Sequence, residues 1–238
     1  YSKGGAVYVT GTGQDSVIEN NTFSGNVVRL DTETESLIDS DGGGAIAVQV
    51  RSGSADSVYM KLIGNTFNSN ISNTRGGALA VLNSSTSTSQ RNITVLIDDS
   101  SFYDNTAGTR GGAIFADGNT ILAIKDTSFV SNKADKGGAI YNESISGGTG
   151  TNYITSTGLT FTDNSATTDG GAIYNNATNG AGIYIKDALF TGNTAGGFGG
   201  AIYNEGTAPI YIISENSDVI FSNNTDSTGA NDIYNKGT

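Results

Sequence analysis

The chain of 238 residues contains no cysteine and no histidine. Without cysteine, neither a disulfide nor a thiolate metal site can hold it together. Without histidine it lacks the side chain most often used for acid–base catalysis near neutral pH. Proline occurs once, at Pro209. Charge is sparse, 15% of residues, and one-sided, giving a net charge of −11. That balance argues against general affinity for nucleic acid or an anionic lipid surface. No apolar run approaches the roughly 18 residues that a bilayer-crossing helix needs, so no direct membrane insertion by this segment is expected. The sequence starts at Tyr1 without a signal peptide and is expected to be a mature product or a piece of a longer protein.

Glycine is abundant, 34 residues, and its placement is regular. A Gly-Gly-Ala-aliphatic motif begins at Gly4, Gly43, Gly76, Gly111, Gly137, Gly170 and Gly199, with a degraded copy from Gly229 to Ile233. A second motif, Phe-x-x-Asn, pairs Phe23 with Asn26, Phe67 with Asn70, Phe102 with Asn105 and Phe129 with Asn132. It continues with Phe161 and Asn164, Phe190 and Asn193, and Phe221 and Asn224. The two motifs alternate strictly along the chain, so residues 1–238 read as a single repeat domain with a period of about 30 residues. From each Phe to the next Gly-Gly the spacing is 8 or 9 residues, except for 20 after Phe23; the return spacing varies from 18 to 26. One corner of the repeat is therefore tight and the other tolerates loops.

Between the motifs, hydrophobic residues alternate at period two over stretches too short for helices, as in Val95 and Ile97 or Ile183 and Ile185. Each repeat thus holds two or three short strands and cannot bury an apolar face alone. Stacked on its neighbours, each strand pairs with its counterparts above and below, and the apolar columns fuse into one core. The expected fold is all-β, a parallel β-helix of about seven to eight rungs. The column Val7, Ile46, Leu79, Ile114, Ile140, Ile173, Ile202, Ile233 points inward, and two residues on, Asn142, Asn175, Asn204 and Asn235 are expected to form an amide ladder. An aliphatic column five residues before the Phe is interrupted by Ser156 and Asn216, which predicts shifted strands in those two repeats.

The alternating Gly-Gly-Ala-Ile and Phe-x-x-Asn motifs resemble the repeats of polymorphic outer membrane proteins and of autotransporter passengers, over essentially the whole chain. The resemblance implies a right-handed parallel β-helix displayed outside a Gram-negative-type cell, usually in adhesion. The localisation it implies is extracellular, at the bacterial cell surface. The expected partner is a host or neighbouring-cell surface protein or glycan. The chain stops partway through a repeat at both ends, so copies stacked end to end into an extracellular filament are a second expectation.

Several columns carry candidate chemistry. Tyr141, Tyr174 and Tyr203 belong to an outward row that offers rings to a sugar or a partner protein, or stacks on itself and stiffens the sheet. Asn20, Gly64, Asp99, Asp126, Gly158, Asp187 and Asp218 form a column of residues that tolerate left-handed turns; Asp99 and Asp126 sharing a calcium ion is the alternative. Lys3, Arg75, Arg110 and Lys136 each precede a Gly-Gly pair and are expected to pair with carboxylates of the solenoid, or to meet an acidic ligand. The insertion from Val27 to Asp41 carries Asp31, Glu33 and Glu35 and is either a recognition loop or a solvated one. A polysaccharide-acting enzyme would need converging carboxylates; Asp104 and Asp163 share a column but stand two rungs apart. The chain is therefore expected to be no enzyme, with no cofactor and no metal.

Overall fold

The computed structural model describes residues 4–10, 15–29, 42–50, 57–83, 92–144, 153–178 and 182–236. Every described element is a strand, and the strands stack into three sheets, two of eight strands and one of twelve. All pairings are parallel except the last, where Thr225–Asp226 turns back on Gly229–Ala230. The chain is a parallel β-helix. At a spacing of about 4.8 Å, eight strands make a rod roughly 34 Å long.

Each sheet has its own sequence cause. The first is made by the Gly-Gly-Ala-aliphatic motif, and its register aligns Ile46, Leu79, Ile114, Ile140, Ile173, Ile202 and Ile233. These aliphatic side chains point into the core, and those from Ile46 to Ile202 are buried. The second sheet holds the alternating segments such as Ile93–Asp98 and Thr120–Lys125, followed by the Phe strands. Its inner face stacks Phe23, Phe67, Phe102, Phe129, Phe161, Phe190 and Phe221 with centroids 4.5–5.1 Å apart and planes within 11°. The third sheet is built of two-residue strands such as Thr106–Ala107 and Lys133–Ala134, squeezed between Phe-x-x-Asn and Gly-Gly. The constant spacing at that corner is the length of this short side.

The corner between the second sheet's two segments is a left-handed turn. Asn20, Gly64, Asp99, Asp126, Gly158 and Asp187 all have φ between 43° and 67°, as their residue types predicted, whereas Asp218, expected in the same column, is not left-handed. A second left-handed column, Gly25, Ser69, Asp104, Ser131, Asp163, Gly192 and Asn223, stands just before the Asn of each Phe-x-x-Asn. Asp104 and Asp163, weighed above as a distant carboxylate pair, are turn residues of this column.

Two expectations about shifted strands meet different outcomes. Ser156 is not shifted: it pairs with Ile124 and Ile185 in register, is buried, and donates its hydroxyl to the Tyr184 carbonyl. A serine occupies an aliphatic column there because the backbone above satisfies its one donor. In the last such repeat Ile212 takes the column position, opposite Ile185, and the chain then bulges before Phe221 rejoins Phe190. Asp187 holds that bulge by accepting the backbone N–H groups of Glu215, Asn216 and Ser217. These bonds hold its carboxyl well below the usual carboxylate range.

Two amide ladders run through the core. The expected one is present: Asn142 donates to Asn175, Asn175 to Asn204 and Asn204 to Asn235, at 2.7–2.9 Å. It starts abruptly, because the rung before Asn142 offers Ala116, and the Asn142 Oδ1 is left without a partner. The second ladder is the Asn of Phe-x-x-Asn. Each interior Oδ1 accepts the backbone N–H and the Nδ2 of the Asn one rung earlier, and each Nδ2 also donates to the Phe carbonyl of that earlier rung. At its far end Asn224 donates to the Asp232 carboxylate, which stands where another Asn would be.

Candidate functional site

The outer face of the first sheet gathers most of the polar chemistry. Its ring column is Phe115, Tyr141, Tyr174, Tyr203 and Tyr234, with neighbouring centroids 4.9–5.7 Å apart. Tyr141, Tyr174 and Tyr203 are not exposed, as an outward row predicted; they are 2%, 1% and 4% accessible. The sequence period fixes that they leave the main core but not what covers them. What covers their faces is one another and a column of cations from the preceding rungs. The Arg75 guanidinium lies 5.1 Å from the Phe115 centroid, Arg110 lies 5.2 Å from that of Tyr141, and Lys136 Nζ lies 4.9 Å from that of Tyr174. Backbone bridges hold Arg75, Arg110 and Lys136 in register, so like charges do stack, each spread over a ring.

A third column flanks the rings at the end of the strand, two residues past each ring: Asp117 and Glu143 in register, then Asn176, with Glu205 in the next rung. Arg110 donates to Glu143 at 2.6 Å, a pair whose side chains are only partly exposed. Tyr174 donates its hydroxyl to Glu205, which also takes Lys236 at 3.1 Å. Burial first, and then this bond, pushes the Tyr174 hydroxyl far above its ordinary value, while Glu205 is lowered chiefly by the Tyr174 bond. The expectation that the cations meet carboxylates of the solenoid therefore holds for Arg110, and π contacts were the part missed.

Asp117 is different. Burial pushes its carboxyl up to about 6, the nearby Glu143 pushes the same way, and Arg75, Arg110 and the Gly118 amide pull it back. Among the described residues no carboxylate comes within ion-pair distance of Arg75. Where Glu143 reaches Arg110, Asp117 is one methylene short of the equivalent contact. The shortfall opens a cleft of about 450 Å³ lined by Arg75, Arg110, Asp117, Glu143, Ser144, Asn176 and Thr178. The signal in the sequence was the residue three past the inward aliphatic of each repeat, which is acidic or amide in every repeat from Asp117 to Glu205.

Other candidates resolve more simply. Asp126 pairs with Lys125 at 3.1 Å at its left-handed turn. Among the described residues no three metal-ligating side chains gather, and no helix is long and apolar enough to cross a membrane, which says nothing of a β-barrel. Asp31, Glu33 and Glu35 lie outside the described residues. Phe23 and Asn26 through Phe221 and Asn224 all occupy the structural columns predicted for them.

Fold and columns together define a repeat solenoid whose regular part is structural and whose outer face carries the variation. Four of its segments match the family model of the Chlamydia polymorphic membrane protein repeat: residues 99–117, 126–143, 158–176 and 187–205. Each match begins on a left-handed turn residue (Asp99, Asp126, Gly158 or Asp187) and ends on the polar column of Asp117, Glu143, Asn176 and Glu205. These four segments are thus similar to the repeat of a family of polymorphic membrane proteins. Neither a curated protein nor a solved structure matched the chain.

Proposed function

We propose that this chain is the surface-displayed β-helix of an outer-membrane or autotransporter-type protein, acting as an adhesin-like passenger toward a protein or glycan on a host or neighbouring cell. The observation that carries the proposal is the coincidence of the four matched repeats with consecutive rungs of one uninterrupted solenoid. Such a rod keeps its interior constant while its variable corner and outer face are free to differ, which suits display and recognition. The partner surface includes the insertion with Asp31, Glu33 and Glu35. The role is structural and adhesive, not enzymatic, and the setting is extracellular.

The test is on intact cells of the source organism, with antibodies raised against residues 92–236. Surface labelling that disappears after external protease, together with retention of protein-coated beads on target cells, is the expected result. Labelling that requires permeabilised cells would overturn surface display. Labelling without bead retention would overturn adhesion alone.

A further inference from the structure

We propose that the cleft running from Arg75 to Thr178 on the outer face of the first sheet binds the carboxylate end of an acidic saccharide, a uronic- or sialic-acid type of residue. The proposal names a ligand class for the surface role above and rests on that reading only for where the saccharide is found.

The anchor is Arg75. Its guanidinium lies over Phe115, 5.1 Å from the ring centroid, and its N–H fork has no carboxylate within ion-pair distance among the described residues. The planar guanidinium fork has the geometry that a carboxylate accepts bidentately. The neighbouring Arg110 is already engaged by Glu143, so it supports the potential of the cleft without competing for the same ligand oxygens.

The rest of the lining suits a polyol. Ser144 and Thr178 share a 3.1 Å hydroxyl contact, and the Thr178 amide donates to the Ser144 hydroxyl at 2.8 Å, so the two are held side by side. Asn176 points its amide toward Glu143 at 3.4 Å, a long bond that a sugar hydroxyl can replace. Asp117 offers an acceptor to a hydroxyl beside the carboxylate anchor. From the rung of Arg75 to that of Thr178 the cleft spans about three strand spacings, roughly 14 Å, enough for one or two sugar rings.

Charge sets the preference and its pH dependence. At neutral pH Arg75 and Arg110 balance Asp117 and Glu143. Asp117 faces Glu143, Arg75, Arg110 and the Gly118 amide, and its carboxyl titrates near 6. As pH falls through that value Asp117 loses its charge, the cleft gains one net positive charge, and a ligand that stays ionised is held more tightly.

The experiment is calorimetric titration of the whole chain with oligosaccharides ending in glucuronic or sialic acid, each against its neutral counterpart, at pH 7.5 and pH 5.5. Acidic ligands are expected to bind at least tenfold more tightly than neutral ones, and more tightly at the lower pH. Arg75→Gln should lose at least tenfold. Asp117→Glu is the sharper variant: it keeps every charge but lengthens the acid to reach Arg75, as Glu143 reaches Arg110, and should lose binding while the thermal transition stays or rises. Asp117→Asn should bind at pH 7.5 as the parent does at pH 5.5. Equal affinity for acidic and neutral ligands, or affinity untouched by both Arg75→Gln and Asp117→Glu in folded protein, would overturn the proposal. Surface labelling of cells would be unaffected by that failure.

Discussion

Replacing Asn132 by alanine is expected to cost about 3–5 kcal/mol of stability, far more than a polar-to-Ala change on a solenoid surface. Asn132 is fully buried at the centre of the Phe-x-x-Asn ladder. Its Nδ2 donates to the Phe102 carbonyl and to Asn164, and its Oδ1 accepts the Asn105 backbone N–H and Nδ2. Alanine strands the Asn105 N–H in a core with no water to take it, at about 1–3 kcal/mol, takes the second donor from the Phe102 carbonyl, whose ladder bond to the next strand remains, and leaves a cavity. Asn105 Nδ2 keeps its bond to Phe67, and Asn164 Oδ1 keeps the Asn132 backbone N–H, which is why the loss stops there. Asn26→Ala supplies the contrast. It removes a side chain at the first rung of the ladder, while its backbone N–H still bonds Asn70, so less than about 1 kcal/mol should be lost. Urea unfolding midpoints of the two variants measure the difference, and equal losses would mean that the ladder is decoration.

Gly138→Ala is expected to prevent folding, or to cost more than about 4 kcal/mol, although the residue does not sit in the left-handed region. The limit is space. A Cβ on Gly138 would lie 2.1 Å from the Gly171 oxygen and 2.6 Å from the Ser165 nitrogen, both backbone atoms of the next rung. Neither can move without breaking the parallel register. Gly25 is the reverse case, with φ of 65° and nothing within 4 Å of its added Cβ. Gly25→Ala should therefore cost only the strain of a left-handed alanine, about 1–2 kcal/mol. Soluble yield and thermal midpoint distinguish the two glycines, whose costs backbone angle alone would rank the other way.

The repeat was legible because its residues answer to geometry that recurs in every rung. Phe and Asn columns, the inward aliphatic row, the amide row from Asn142 to Asn235 and the first left-handed column could each be found by alignment of the chain with itself. The second left-handed column escaped because Ser69 and Ser131 carry no turn signature of the strength of Gly or Asn. Ser156 was misjudged because hydrophobicity alone defined its column, whereas one hydrogen bond to Tyr184 suffices to bury a hydroxyl.

The outer face was less legible for a related reason. Period two tells which side of a strand Tyr141 faces, and nothing about what folds over it. Cation and ring sit 31 residues apart between Arg110 and Tyr141 and meet only through stacking of the rungs. The cleft beside Arg75 depends on a still smaller difference, the one methylene by which Asp117 falls short of Glu143.

The ladders, the ring columns and the cleft all depend on the register in which rung lies on rung, and the absence of cysteine makes that register directly measurable. Leu96 and Ala123 are in-register partners on the outer face of the second sheet, both partly exposed, with Thr155 one rung further on. Cysteines introduced at Leu96 and Ala123 should be bridged rapidly by a bimane reagent that fluoresces only after joining two thiols, since neighbouring strands stand about 4.8 Å apart. Cysteines at Leu96 and Thr155, about twice as far apart, should react with the reagent singly and stay dark. Equal bridging of the two pairs, or bridging of Leu96 with Thr155 alone, would contradict the stacking from which the ladders, the ring columns and the cleft all follow.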